Sequence, residues 1–221
     1  MPATKGQRGF TLLELLVSTA LTAIVLTLLT SGLRLTEAAW LRGSERVRTM
    51  QQTLAEDEAI QAQVSSAIPR QLTTQFEQRQ LQLTTFQGNA REARFFSNYS
   101  WQGGRNSGLW LVSYRVIHES DDKERLVVSE QGFSSEQQLA AFLLGSQPST
   151  GSGFPYGELA DHIELFYLRP SSPGSPAAWV QEWKCDDQKQ KQLPRGVRVH
   201  WQSAKQERDL TLVIPVREVP Q

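Results

Sequence analysis

The stretch Gly9–Leu33, GFTLLELLVSTALTAIVLTLLTSGL, limits what this chain can become more than any other feature. It is almost unbroken in apolar character and long enough to cross the ~30 Å hydrocarbon core of a bilayer as a helix. Its one charge is Glu14, near the start, and a short basic leader with Lys5 and Arg8 precedes it. A carboxylate inside a membrane span costs about 2.5–3.5 kcal/mol even on the gentler insertion scales, so such a group needs a functional reason. Lys5 and Arg8 hold the leader on the cytoplasmic side by the positive-inside rule. A conventional secretory signal has an apolar stretch of about 7–15 residues and then a small-residue cleavage site. This run is too long, and no such site follows it promptly. A plain signal anchor accounts for the length but leaves Glu14, and the Gly-Phe pair that opens the run, without a purpose.

The remaining length suffices for one further domain of about 150–180 residues with a sizeable core. Lysines plus arginines number 23 and aspartates plus glutamates also 23, so no global field draws nucleic acid or anionic lipid. The one cysteine, Cys185, excludes an internal disulfide and a multi-cysteine metal site. It is expected to be a small buried hydrophobe.

Helical periodicity continues past the apolar run. Trp40, Val47, Met50, Leu54, Val64 and Ile68 recur mostly at spacings of three, four or seven, a stripe expected to pack on the following domain. The stripe drifts where Glu56, Asp57 and Glu58 intervene, and Gly32 and Gly43 are points where a long helix could bend. Pro69 biases Ile68 away from helix and supplies the stop. A continuous helix from Phe10 to Ile68 would be roughly 88 Å long; the alternative is a linker followed by a short amphipathic helix.

After Pro69 the period changes to two. Strands are expected at Arg79–Phe86, Ala93–Tyr99, Leu109–Ile117 and Arg125–Glu130, with Ser120–Glu124 as a hairpin turn. Ser134 with Gln137 resembles a capping box opening a short helix that ends at Gly145. Ser146–Gly157, rich in Gly, Pro and Ser, is expected to be a loop. Further strands are expected at His162–Leu168, Trp179–Cys185, Val197–Trp201 and Leu210–Val216, with Pro215 putting the last at an edge or ending it early. The expected organisation is therefore 10–33 as a membrane helix, 34–68 as its continuation and 69–221 as one antiparallel β domain.

Catalytic and ligand motifs are sparse. His118, His162 and His200 lie far apart and no pair has metal-ligand spacing, so each is expected to be a strand residue at or near the surface. No G-x-S-x-G elbow occurs, and Gly151–Gly157 lacks the spacing of a phosphate loop. The acidic pairs Asp121–Asp122 and Asp186–Asp187 are candidate calcium ligands, but neither run alternates ligands as a loop site does, and solvated turns fit better. No cofactor is expected. Trp101 in WQGGRNSG either meets a partner or caps the sheet. Trp179 and Trp183, four apart in one expected strand, share its core-facing side.

The run Lys5–Glu14, KGQRGFTLLE, resembles the processing signal of type IV pilins and pseudopilins. In that family a prepilin peptidase cuts after the glycine and methylates the new terminal amine. The resemblance implies a leader of residues 1–9, cleavage between Gly9 and Phe10 and N-methylation of Phe10. It also implies that Glu14 pairs with the terminal amine of a neighbouring subunit, two charges sharing an apolar medium by neutralising each other. Ser18, Ala20 and Ala23 would permit close helix approach. Farther along, IELFYL, WVQEW, LPRGVRVHW and LVIPV, with the hairpin LVSYRVIHESDDKERLVVSEQ, resemble the minor pseudopilin J family of type II secretion systems. That implies an α+β, pilin-like fold, a long N-terminal helix packed on antiparallel β-sheets. It further implies a non-enzymatic assembly component anchored in the inner membrane with its domain in the periplasm. Implied partners are the I and K minor pseudopilins, with the H type, secreted cargo and the outer-membrane secretin as further candidates. The alternative is a minor pilin of a type IV pilus serving adhesion, motility or DNA uptake, although the balanced charge gives no support for nucleic-acid binding.

Overall fold

The computed structural model describes residues 12–76, 79–101, 103–119, 122–146, 153–172, 175–186, 192–204 and 206–216. The chain forms two compact units, 1–52 and 53–221. Helix α1, Leu12–Ser65, contributes to both and runs through Gly32 and Gly43 without interruption.

In the first unit every described side chain is exposed, Leu12 at 86% and Trp40 at 77%. By length and composition this part of α1 can cross a membrane. Its hydroxyl side chains from Ser18 to Ser44 donate to carbonyls of the helix itself. Ser18 Oγ donates to the Glu14 carbonyl at 2.8 Å, Thr22 to Ser18 at 2.8 Å, Thr27 to Ala23 at 2.7 Å and Ser31 to Thr27 at 2.8 Å. Such back-bonding lets Ser and Thr sit in an apolar medium without an outside partner.

The second unit is built on antiparallel pairs throughout. The hairpin β1 (Gln71–Phe76) and β2 (Arg79–Thr84) stands as a two-stranded sheet. A five-stranded sheet has the order β3 (Phe86–Gly88), β4 (Glu92–Ser100), β5 (Gly104–His118), β6 (Glu124–Gly132), β7 (Gly153–Ala160). A four-stranded sheet has the order β11 (Gln206–Val213), β10 (Gly196–Ser203), β8 (His162–Arg169), β9 (Ala178–Val180). The main core joins the two large sheets to the end of α1 through Ile60, Phe95, Tyr114, Leu165, Tyr167 and Val199, all buried. Gly88 is required by close approach, since a Cβ there would lie 2.3 Å from the Tyr167 ring. A second core forms beneath α2 (Glu136–Leu143), with Leu72, Phe96, Leu111 and Phe142.

Several expectations change. Helix α1 ends at Ser65 rather than Ile68, because Ala67 bridges to Ser97 and the Ile68 amide donates to the Phe96 carbonyl at 2.8 Å. In the proposed stripe Trp40, Val47, Met50 and Leu54 are exposed, and among the described side chains of α1 the buried ones are Ile60, Gln63 and Val64. The cap of α2 is Ser135, one residue later than expected, accepting from the Gln138 amide, while Gln138 Oε1 accepts from the Ser134 amide at 2.9 Å. Its C-terminus closes as a Schellman turn: Gly145, at φ +78, donates to Phe142 and Ser146 donates to Ala141.

Gly153–Gly157, expected in a loop, belongs to β7; its proline is tolerated because β7 is an edge strand. The expected strand Trp179–Cys185 is split, since β9 stops at Val180 and Trp183 crosses to bridge Gly88 of the other sheet. Strand β1 was not expected at all. Its threonines and glutamines alternate too weakly to register, and among its described side chains Leu72 is the buried one. Strand β11 is indeed an edge strand and stops before Pro215.

Candidate functional site

Gly9 and Phe10 lie outside the described residues. Glu14 sits in the first turn of α1 among exposed Leu12, Leu13, Leu15, Leu16 and Val17. One carboxylate on an otherwise apolar surface has a limited chemistry. In an apolar medium it must meet a cation or give up its charge.

The last turns of α1 are held to the β domain by buried polar groups. Gln63 is fully buried; its carbonyl oxygen Oε1 accepts from the Tyr114 hydroxyl at 2.9 Å and its amide Nε2 donates to Glu130. Glu130 also accepts from the Ser100 hydroxyl at 2.8 Å and from the Trp101 amide, while Ser97 Oγ donates to the Gln63 backbone carbonyl at 3.0 Å. Burial drives the Tyr114 phenol well above its ordinary pKa, with Tyr156 and Glu130 adding to the effect, so it stays a donor. Nearly two turns earlier, Asp57 accepts from the Tyr156 hydroxyl and pairs with Arg208 at 3.0 Å. Asp57 belongs to the acidic run that made the stripe drift, and the drift has a cause: this helix face buries polar anchors between apolar ones.

A third cluster clasps the two large sheets together. Glu124, with a side chain only 5% exposed, receives both Arg91 nitrogens, at 2.6 and 2.8 Å, and the Ile163 amide at 2.7 Å. Arg91 donates in turn to the Ile163 carbonyl at 3.0 Å. Burial pushes the Glu124 pKa up, but the Arg91 bonds, the Ile163 amide and the charges of Arg91 and His162 outweigh it and hold the carboxyl below its usual range. The histidines that looked unrelated in sequence converge here. His118 and His162 each lie within 3.6 Å of Glu124, and His162 also lies 3.2 Å from Glu164. His200 pairs instead with Asp209 at 2.6 Å.

Among the described residues no three His, Cys, Asp or Glu side chains are gathered as a metal site. Asp122 occupies a left-handed turn position (φ 54) between β5 and β6, whereas Asp121 and Asp187 lie outside the described residues. Cys185 is buried in the second core, and burial, reinforced by Asp186, pushes its thiol up to about 12, leaving it un-ionised and inert. Trp101 is half-buried, stacked on Phe154 with ring centres 6.3 Å apart and edge-on to Tyr156, so it caps the sheet. Trp179 and Trp183 do not share a face. Trp179 lies 4.1 Å under the Arg198 guanidinium, while Trp183 is buried edge-on to Phe86.

A long apolar N-terminal helix followed by antiparallel sheets makes this a pilin-like α+β protein. Residues 4–30 match the family described as Prokaryotic N-terminal methylation motif. Over 196 residues the chain is 26% identical to Type II secretion system protein J of Xanthomonas campestris pv. campestris, covering 86% of this chain and 84% of that protein.

Proposed function

We propose that this chain is a minor pseudopilin of a type II secretion system, a structural rather than enzymatic component that helps initiate the pseudopilus tip. The observation that carries the reading is the methylation motif at residues 4–30 leading into a helix able to cross a membrane, on a chain similar to a secretion protein J over most of its length. Residues 1–9 act as a leader that a prepilin peptidase removes between Gly9 and Phe10, and Phe10 becomes the methylated N-terminus. Residues 10–33 anchor the chain in the inner membrane, 34–68 continue the helix and 69–221 form the periplasmic domain. Glu14 receives the terminal amine of a neighbouring subunit and so sets the register of helix packing. The neighbours are the minor pseudopilins of the I and K types, with the H type as a further candidate, and the assembled tip meets cargo or the secretin.

Deleting the gene tests this reading. Secreted enzymes should accumulate in the periplasm, and the wild-type chain should restore their export. Normal export with loss of surface pili would instead identify a minor pilin.

A further inference from the structure

Three edges of the two large sheets are short or blunted. Strand β3 has three residues and bridges to Trp183, β9 also has three, and β7 carries Pro155, which has no N–H to offer. The fourth edge, β11, runs eight residues from Gln206 to Val213 without a proline or a register shift.

The phase of its ladder follows from two contacts. Gly196 and Val213 are opposite each other, and Ile214 donates to the Arg195 carbonyl at 3.0 Å, so the Gly196–Val213 pair is a non-hydrogen-bonded one. By the period of two, the backbone groups of Glu207, Asp209, Thr211 and Val213 point away from β10. At Val213 they are taken by one side chain. Gln61 Nε2 donates to the Val213 carbonyl at 3.0 Å, and the Val213 amide donates to Gln61 Oε1 at 3.2 Å. This amide stands where a residue of another strand would stand. Beside it, a groove of about 470 Å³ is floored by Leu54, Ala62, Leu210 and Leu212. Glu58 lies exposed on its rim, and Glu207 is exposed on β11 itself.

We propose that β11 and this groove form a docking site for an extended segment of a partner chain, one that alternates aliphatic and basic residues. The segment pairs with the outward backbone groups of Glu207, Asp209 and Thr211, and Gln61 ends the register by occupying Val213. Successive side chains of a strand face opposite ways. Every second residue, aliphatic, therefore enters the groove over Leu210 and Leu212, while the basic residues between them lie beside Glu207. This is β-strand addition, in which main-chain bonds give affinity and alternate side chains give specificity. The site lies wholly within the unit 53–221 and stands whether or not the chain works in secretion.

The test uses the full chain in detergent and a synthetic eight-residue peptide alternating valine and lysine, beside the same peptide N-methylated at every second backbone nitrogen. The plain peptide should bind at least tenfold more tightly than the methylated one, and T211P should lose that preference. The Thr211 amide points outward, so proline there leaves the β10 ladder intact; the methylated peptide makes the same comparison on the unaltered chain. E207K should weaken the plain peptide several-fold at low salt. Equal binding of the two peptides, or no binding at millimolar concentration, would overturn the proposal. Concentration-dependent self-association abolished by T211P would also overturn it, by making a second copy of this chain the occupant.

Discussion

The two ends of α1 reverse the usual relation between polarity and burial. From Leu12 to Leu33 the helix shows Leu, Val and Ile side chains on every face, all exposed. From Asp57 to Val64 it buries Gln63 completely and half-buries Asp57. In water the first arrangement would be an aggregation hazard. In a bilayer it costs nothing, and Glu14 becomes the anomaly instead. The second arrangement is tolerable because each buried polar atom meets a partner, Gln63 with Tyr114 and Glu130, Asp57 with Tyr156 and Arg208. Exposure therefore has to be judged against the surrounding medium, and burial against the partners available.

Substitutions at the two ends should separate in kind and then in size. E14A is expected to leave processing intact and to abolish export by cells carrying it. Removing one partner of an apolar-embedded ion pair costs about 3–5 kcal/mol, enough to prevent assembly. Near-normal export would break the contrast between the two ends. At the other end I60A should destabilise the β domain by about 2–5 kcal/mol, read by chemical denaturation of the full chain in detergent. Q63A leaves Tyr114 and Glu130 each short of a buried partner and should cost about 1–3 kcal/mol in the same measurement.

The Glu124 clasp adds a dependence on pH. The folded carboxyl titrates below its unfolded value. Its stabilisation is therefore full above the ordinary carboxylate range and is lost as pH falls through the depressed folded value. E124Q should remove the contribution of Glu124 to the acid-side slope. W40A should change domain stability by less than about 0.5 kcal/mol, since Trp40 is exposed and lies outside the core. A loss comparable to I60A would mean that the helix packs farther along than the buried residues indicate.

What was legible in the sequence follows the range of the interactions. The methylation motif at residues 4–30 and the apolar run stand out because both are read locally. Strands β4, β5, β6, β8 and β10 show because apolar residues recur at every second position, as Trp110, Val112, Tyr114 and Val116 do. The β7 strand was hidden by composition. Gly153 and Pro155 speak for a loop until an edge position makes them acceptable. The Trp179–Cys185 segment misleads differently, because Trp179, Trp183 and Cys185 fall at even spacings while the chain leaves one sheet for the other between Val180 and Trp183. The polar anchors were invisible for a further reason. Asp57 and Gln63 look like solvent-facing helix residues, and partners 51 to 151 residues away half-bury the first and bury the second. The meeting of His118 and His162 at Glu124 depends in the same way on strand pairing.

The most direct measurement is the intact mass and N-terminal sequence of the chain purified from membranes of cells that contain the prepilin peptidase. The expected product starts at Phe10 and carries one added methyl group on its terminal amine. An intact Met1, or a chain cut beyond Leu33, would contradict the assignment of Gly9, Phe10 and Glu14 to processing and assembly.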